Sequence, residues 1–248
     1  HHEIEKTTEV NDSTRWRYGS ITKVFTAVMI LQLESEGKLS IDDSVTKYID
    51  LKQHNAAGIT IKHLLNHSSG LYNYTATKKL KWENTPNQCL ENSLKRKLNF
   101  TPGSKYDYCN TGYVILGLII EKITAQSYQQ NITERIFKPC GLESMIYCSD
   151  DKIPFNTARG YKIKHNKYTD FTEIDHSWAN SAGAVLGNLT DLNKFVDCLF
   201  KGNLIDSSQL KKMISPTIIY RDLNADGMEW FYHGVGLCWD LNLDKTEK

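Results

Sequence analysis

A serine and a lysine three residues apart, in Ser20-Ile21-Thr22-Lys23, form the first pair in this sequence with the makings of covalent chemistry. On a helix, positions three apart share a face, so Lys23 reaches back one turn to the Ser20 hydroxyl. A serine in the first helical turn also lies where free backbone N–H groups and the positive end of the helix dipole favour developing negative charge. A neutral amine there could take the serine proton if burial or a nearby cation lowers the lysine pKa. Taken alone, S-x-x-K is weak. Serine caps are common, and a capping Ser20 beside a solvated Lys23 explains the spacing equally simply.

A second group, Tyr106-Asp107-Tyr108-Cys109-Asn110-Thr111-Gly112, stands just before an apolar run. In an extended segment alternate side chains share a direction, so Tyr108 and Asn110 are expected to project together while Cys109 turns away. A phenol beside a lysine can act as a general base, and an amide can hold a substrate carbonyl or the lysine. Alone, this group reads as well as a core aromatic followed by a helix cap.

The elements that must position these residues are mostly helical. Ile21, Val24, Phe25, Val28 and Leu31 mark one face of a helix from about Ser20 to Glu36, stopped by Gly37. A polar connection from Ser40 to Asn55 with a short helix leads to a helix over Ile59 to Leu65, and Asn66 to Gly70 form a loop. Leu90, Leu94 and Leu98 predict an amphipathic surface helix. Thr101 to Ser104 is a turn, Tyr113 to Thr124 a buried helix, and Asn131 to Cys140 a further one. Short strands are expected between Lys152 and Asp175, helices over Asp191 to Phe200 and Ser207 to Ile214, and one terminal strand from Trp230 to Leu241.

In order and together, these motifs resemble the serine β-lactamase-like family of class C β-lactamases, D-alanyl-D-alanine carboxypeptidases and related esterases. Arg17 to Lys23 followed by Phe25-Thr26-Ala27 resembles the nucleophile segment, and Leu64-Leu65-Asn66-His67-Ser68-Ser69-Gly70-Leu71 the loop L-L-x-H-T-S-G-L. Tyr108-Cys109-Asn110 matches the Y-x-N motif, and Ser181-Ala182-Gly183-Ala184 the small-residue turn before a helix. The match runs from about Asn11 to Trp239.

The resemblance implies an α/β (α+β) fold in which an antiparallel sheet flanked by helices packs on a mostly helical domain. Residues 1–43 and 178–248 would form the α/β part and residues 44–177 the helical domain, with the active site in the cleft between them. It implies Ser20 as nucleophile, Lys23 as its base, Tyr108 as proton relay, and Asn110 as the group orienting Lys23 and the substrate amide. Substrates would be D-alanyl peptides, β-lactams or simple esters, with no cofactor, in a periplasmic or secreted setting. One departure stands out. The family's third motif, K-T-G or H-x-G, has no clear instance: His233-Gly234-Val235 places its glycine one position early, and Lys245-Thr246-Glu247 carries glutamate where glycine is needed. The sheet is therefore expected to be incomplete at both chain ends. Trp230 to Leu241 would then be an unpaired edge that invites a homodimer. Intact Ser20, Lys23, Tyr108 and Asn110 favour an enzyme, whereas the absent motif favours a silent, peptide-binding homologue.

Composition excludes other classes. The 248 residues carry 30 Lys+Arg against 29 Asp+Glu, a net charge of +1, with 40% hydrophobic and 24% charged residues, as in ordinary globular chains. Lys78, Lys79 and Lys81, then Lys95, Arg96 and Lys97, interrupted by Glu83 and Glu91, read as a solvated face, so no nucleic-acid partner is expected. His63 and His67 lie four apart, but Leu64 replaces the glutamate of H-E-x-x-H and no third ligand is evident, so no metal is expected. No run reaches the ~18 apolar residues of a membrane span, and His1-His2-Glu3 opens no signal peptide. The six cysteines contain no C-x-x-C pair, which leaves disulfides or buried thiols equally open.

Overall fold

A computed structural model describes residues 9–51, 56–76, 86–148, 153–173, 177–223 and 229–243. Of the residues singled out above, His1-His2-Glu3, Lys78, Lys79, Lys81, Glu83 and Lys245-Thr246-Glu247 lie outside them. Strand β1 (Trp16–Arg17) runs through a 3-10 turn at Gly19–Ile21 into helix α1 (Thr22–Ser35). Helices α2 (Ile61–Leu65), α3 (Pro86–Leu94), α4 (Asn110–Thr124) and α5 (Tyr128–Ile132) follow, the last continuing as a π-helical turn over Thr133–Phe137. Then come β2 (Ile146–Tyr147), the hairpin β3 (Tyr161–Lys164) and β4 (Lys167–Asp170), and β5 (Val185–Gly187). Helices α6 (Leu189–Phe200) and α7 (Ser207–Ile214) lead to β6 (Ile218–Leu223), β7 (Glu229–Val235) and β8 (Asp240–Leu243). Every pair of these strands is antiparallel, with orders β1-β5-β2, β3-β4 and β6-β7-β8. This is the mixed helix and antiparallel-sheet class expected from the sequence.

Helix α1 is the core of the molecule rather than a one-faced helix on its surface. Phe25, Ala27, Val28, Met29, Ile30, Leu31 and Leu33 are all buried, and so are Thr22, Lys23 and Thr26, whereas Ile21, assigned above to the apolar face, is 42% exposed. Elements on several sides explain this, because α4, α5 and the 177–182 segment all pack on α1. Phe25 stacks on Phe195 of α6 at 4.0 Å and meets Phe137 edge-on at 6.1 Å. The helix ends as Gly37 predicted: at φ +69° it lets Lys38 N–H reach the Leu33 carbonyl and its own N–H reach that of Glu34.

Several element boundaries differ from the sequence reading: α1, α2, α4 and α6 start two or three residues away from it, and three other differences are larger. Helix α3 stops at Leu94, so Leu98 lies beyond it, although Leu90, Leu94 and Leu98 all contact the core. Helix α5 starts at Tyr128 because Ser127 and Gln130 form a reciprocal capping box. The terminal run is two strands: Gly236 to Trp239 turn the chain, Gly236 N–H donating to the Trp239 carbonyl, and β7 pairs with β6 on one side and β8 on the other. Trp230 to Val235 is therefore a central strand and not an open edge. His233 and Gly234 sit within it, opposite Tyr220 and Ile219 of β6.

Cys140, just past the π-helical turn, is disulfide-bonded to Cys198 of α6, while Cys109 and Cys238 are free thiols. The bridge spans 58 residues and clamps the two elements that flank Phe25. Closing a loop of this length restricts the unfolded chain by on the order of 4 kcal/mol. Reduction, or Cys140→Ala with Cys198→Ala, should lower the urea-unfolding free energy by about 2–5 kcal/mol. An unchanged midpoint under reducing conditions would contradict this.

Candidate active site

Ser20 is placed by a sheet on one side and a helix on the other. Tyr18 N–H donates to the Val185 carbonyl at 3.0 Å, and its hydroxyl donates to the Asn188 carbonyl, so the residue before the turn is locked to β5 and its exit. Gly19 then takes φ +53°, a conformation that L side chains rarely adopt, and nothing lies within 4 Å of where its Cβ would be. Glycine is needed here for backbone reversal rather than for space.

Lys23 follows one turn later and is 2% exposed. Its Nζ donates to Ser20 Oγ at 3.2 Å and to the Ala182 carbonyl at 2.7 Å. The Tyr108 and Tyr113 rings lie 4.9 Å and 5.5 Å from the nitrogen. Burial pushes its pKa down to about 8, from a normal lysine value of 10.5. A substantial neutral fraction at mildly alkaline pH is what a general base requires.

The segment leading into β5 lies against Lys23, and α1 holds it with three polar contacts. Thr22 Oγ1 accepts from Val185 N–H at 3.0 Å, Lys23 donates to Ala182, and Thr26 Oγ1 donates to the Ser181 carbonyl at 2.7 Å. Tyr128 Oη lies 2.7 Å from the same Thr26 oxygen. On the opposite side Ser181 Oγ donates to the Tyr113 carbonyl at 2.8 Å, beside Gly117 of α4. A Cβ at Gly117 would stand 2.2 Å from Ser181 Oγ, so only glycine allows α4 this close.

Tyr108 comes from the extended segment before α4. Its hydroxyl donates to Ser20 Oγ at 2.6 Å, and partial burial raises its pKa above the ordinary tyrosine value. Cys109 is buried, its thiol on the Leu71 carbonyl, and it is also the N-cap of α4, so Asn110 is the first helical residue. Asn110 turns from the serine: its amide donates to Thr75 Oγ1 at 3.0 Å and its N–H to Asn73 Oδ1. The contact to Lys23 expected of Asn110 is made by the Ala182 carbonyl.

The sequence offers His63 and His67 as a metal pair and His67 as part of the Leu64–Leu71 loop, and the structure gives both histidines other partners. His63 Nδ1 accepts from the backbone N–H of its own N-cap, Thr60. His67 ends α2 at φ +59° with Ser68 N–H on the His63 carbonyl, the geometry usually served by glycine. That conformation costs a residue with a side chain about 1–2 kcal/mol. Cys238, in the turn between β7 and β8, also comes in unannounced: its thiol meets the Tyr113 hydroxyl, and burial pushes its pKa up to about 11. No short motif flags Cys238, and the Leu64–Leu71 loop motif that contains His67 does not say what its ring holds, since both act through a loop whose course only the fold determines.

The chain matches the family described as Beta-lactamase over residues 1–246. It belongs to the β-lactamase family. A Bacillus subtilis (strain 168) protein named "Putative penicillin-binding protein PbpX" is 31% identical over 207 residues, covering 83% of this chain and 51% of that protein. Protein flp of Staphylococcus aureus (strain MW2) is 27% identical over 240 residues, 92% of this chain and 48% of the other. The chain thus spans about half the length of the curated relatives it matches. Among solved structures, a D-stereospecific amidohydrolase from Streptomyces sp. superposes with a TM-score of 0.82 at 29% identity, over 94% of this chain and 73% of that one. The D-amino acid amidase of Ochrobactrum anthropi SV3 gives 0.80 at 26% identity, over 97% and 69%. The β-lactamase-family fold is that of serine hydrolases.

Proposed function

We propose that this chain is a serine hydrolase that forms an acyl-enzyme on Ser20 and cleaves an amide next to a D-configured residue, as in a D-alanyl peptide or, in strained form, a β-lactam. One observation carries the reading: Ser20 Oγ sits between a buried lysine amine at 3.2 Å and a phenol at 2.6 Å. Lys23 has its pKa lowered and Tyr108 has it raised, so the amine is the base and the phenol the acid. Neutral Lys23 takes the Ser20 proton as Oγ bonds to the substrate carbonyl carbon. The carbonyl oxygen takes up the negative charge, and the Ser20 N–H is one donor toward it. When the carbon–nitrogen bond breaks, Tyr108 protonates the departing amine and is reprotonated from Lys23. Water then attacks the ester by the reverse sequence. Asn110, which the resemblance casts as a binder of the substrate amide, is held beside Tyr108 by Asn73 and Thr75.

The neighbours named D-stereospecific amidohydrolase and D-amino acid amidase, and the relative named a putative penicillin-binding protein, support an amide over an ester. The Cys140–Cys198 bridge supports an oxidising compartment, in keeping with a periplasmic or secreted setting. A labelled penicillin or a fluorophosphonate should modify Ser20 alone, and Ser20→Ala should abolish labelling. Unfolding should change by no more than the ~0.5–2 kcal/mol of a helix-start Ser→Ala change. Label mapped by mass spectrometry to another serine would remove Ser20 as nucleophile. Parallel assays on a D-amino acid amide, nitrocefin and a simple ester would rank the substrates.

A further inference from the structure

We infer that His67 is a positioning residue: a neutral imidazole tether that holds the Tyr108 phenol on Ser20. The inference rests on the serine reading above and adds a residue to it. Three consecutive residues of the Tyr108 segment are fastened to this one histidine. Asp107 N–H donates to the His67 carbonyl at 2.9 Å. The Tyr108 ring lies tilted at 36° against the imidazole, centroids 4.4 Å apart. Cys109 N–H donates to His67 Nδ1 at 3.1 Å. Tyr113 at 5.1 Å and Tyr106 at 5.9 Å close the remaining sides of the ring.

The acceptor role fixes the chemistry. Nδ1 can accept the Cys109 N–H only while unprotonated, so the ring proton belongs on Nε2. Burial, then the nearby Lys23 amine, hold the imidazole pKa at about 3, which keeps the tether intact at working pH. A neutral ring also places no second cation beside Lys23. The left-handed backbone aims the side chain inward; glycine would relax the backbone there but would leave Cys109 N–H and the face of Tyr108 without their partner.

Labelling kinetics on a double-mutant cycle test this. His67→Leu should leave pre-acylation affinity unchanged and slow the acylation step by ~10²-fold, the order expected for misplacing a reacting group by about an ångström. In a Tyr108→Phe background the same change should add little, since the tether acts through the phenol. His67→Asn, whose Oδ1 falls where Nδ1 was and which tolerates the left-handed backbone, should recover most of the rate; His67→Gln should not. Equal slowing in both backgrounds, or equal rates for the Asn and Gln variants, would make His67 a core residue only and overturn the tether while the serine reading stands. If the parent chain fails to label Ser20, the serine reading falls. Nitrogen-15 spectra of the imidazole then judge the tether: an Nε2–H tautomer that does not titrate upholds it, and titration near the ordinary histidine value overturns it.

Discussion

Lys23→Met should slow acylation of Ser20 by ~10²–10⁴-fold, the usual cost of losing a general base, with little loss of folded structure. Methionine fills nearly the same volume as the lysine stem, which is buried against the Tyr108 and Tyr113 rings. The parent chain should carry a matching pH signature. Its lysine pKa is lowered to about 8, so the neutral base is scarce below that pH and dominant above it. Acylation should therefore rise with pH, about tenfold per unit on the acid side, and level off beyond about 8. The methionine variant should lose that rise. A parent profile flat from pH 6 to 9 would mean that a group other than Lys23 takes the serine proton.

Tyr108→Phe should slow acylation by a similar ~10²–10⁴-fold while keeping the ring that packs on His67. Only the hydroxyl is lost, and with it the 2.6 Å contact to Ser20 Oγ. Because Lys23 and Tyr108 act on one oxygen in one proton transfer sequence, the double variant should be far less impaired than the product of the two single effects. Wild-type acylation by the phenylalanine variant would leave Tyr108 as packing alone. Circular dichroism and thermal melts on the same samples separate either outcome from unfolding.

The Ser20–Lys23 pair and Tyr108 were legible because their spacing is written at short range. S-x-x-K needs only one helical turn to bring its two groups together, and both Ser20–Lys23 and the start of α1 follow from that local geometry. The partners were not legible, since a carbonyl in a distant loop leaves no residue-type signature. Ala182 holds Lys23 through its backbone, and any residue there carries the same oxygen. Helix α1 was read as one-faced because Thr22, Lys23 and Thr26 count as polar, yet all three are buried by the bonds they make to residues 181–185. Strands β1 and β2, two residues each, are too short to show a period, and they exist because β5 lies between them. The terminal hairpin was fused into one strand because Leu237, Cys238 and Trp239 continue the apolar pattern through a turn made possible by Cys238 at φ +78°.

Those three bonds from α1 to residues 181–185 make the Lys23 amine and the wall beneath it a single rigid body. The amine cannot be retuned without displacing the wall, and the wall cannot be reshaped without unseating the amine. Asn73 and Thr75, which hold the backbone of Tyr108 and the amide of Asn110, make no hydrogen bond to α1 among the described residues. The Tyr108 side of Ser20 is thus fastened by bonds separate from those that seat Lys23, and a substitution at Asn73 or Thr75 should shift the phenol while leaving the amine in place.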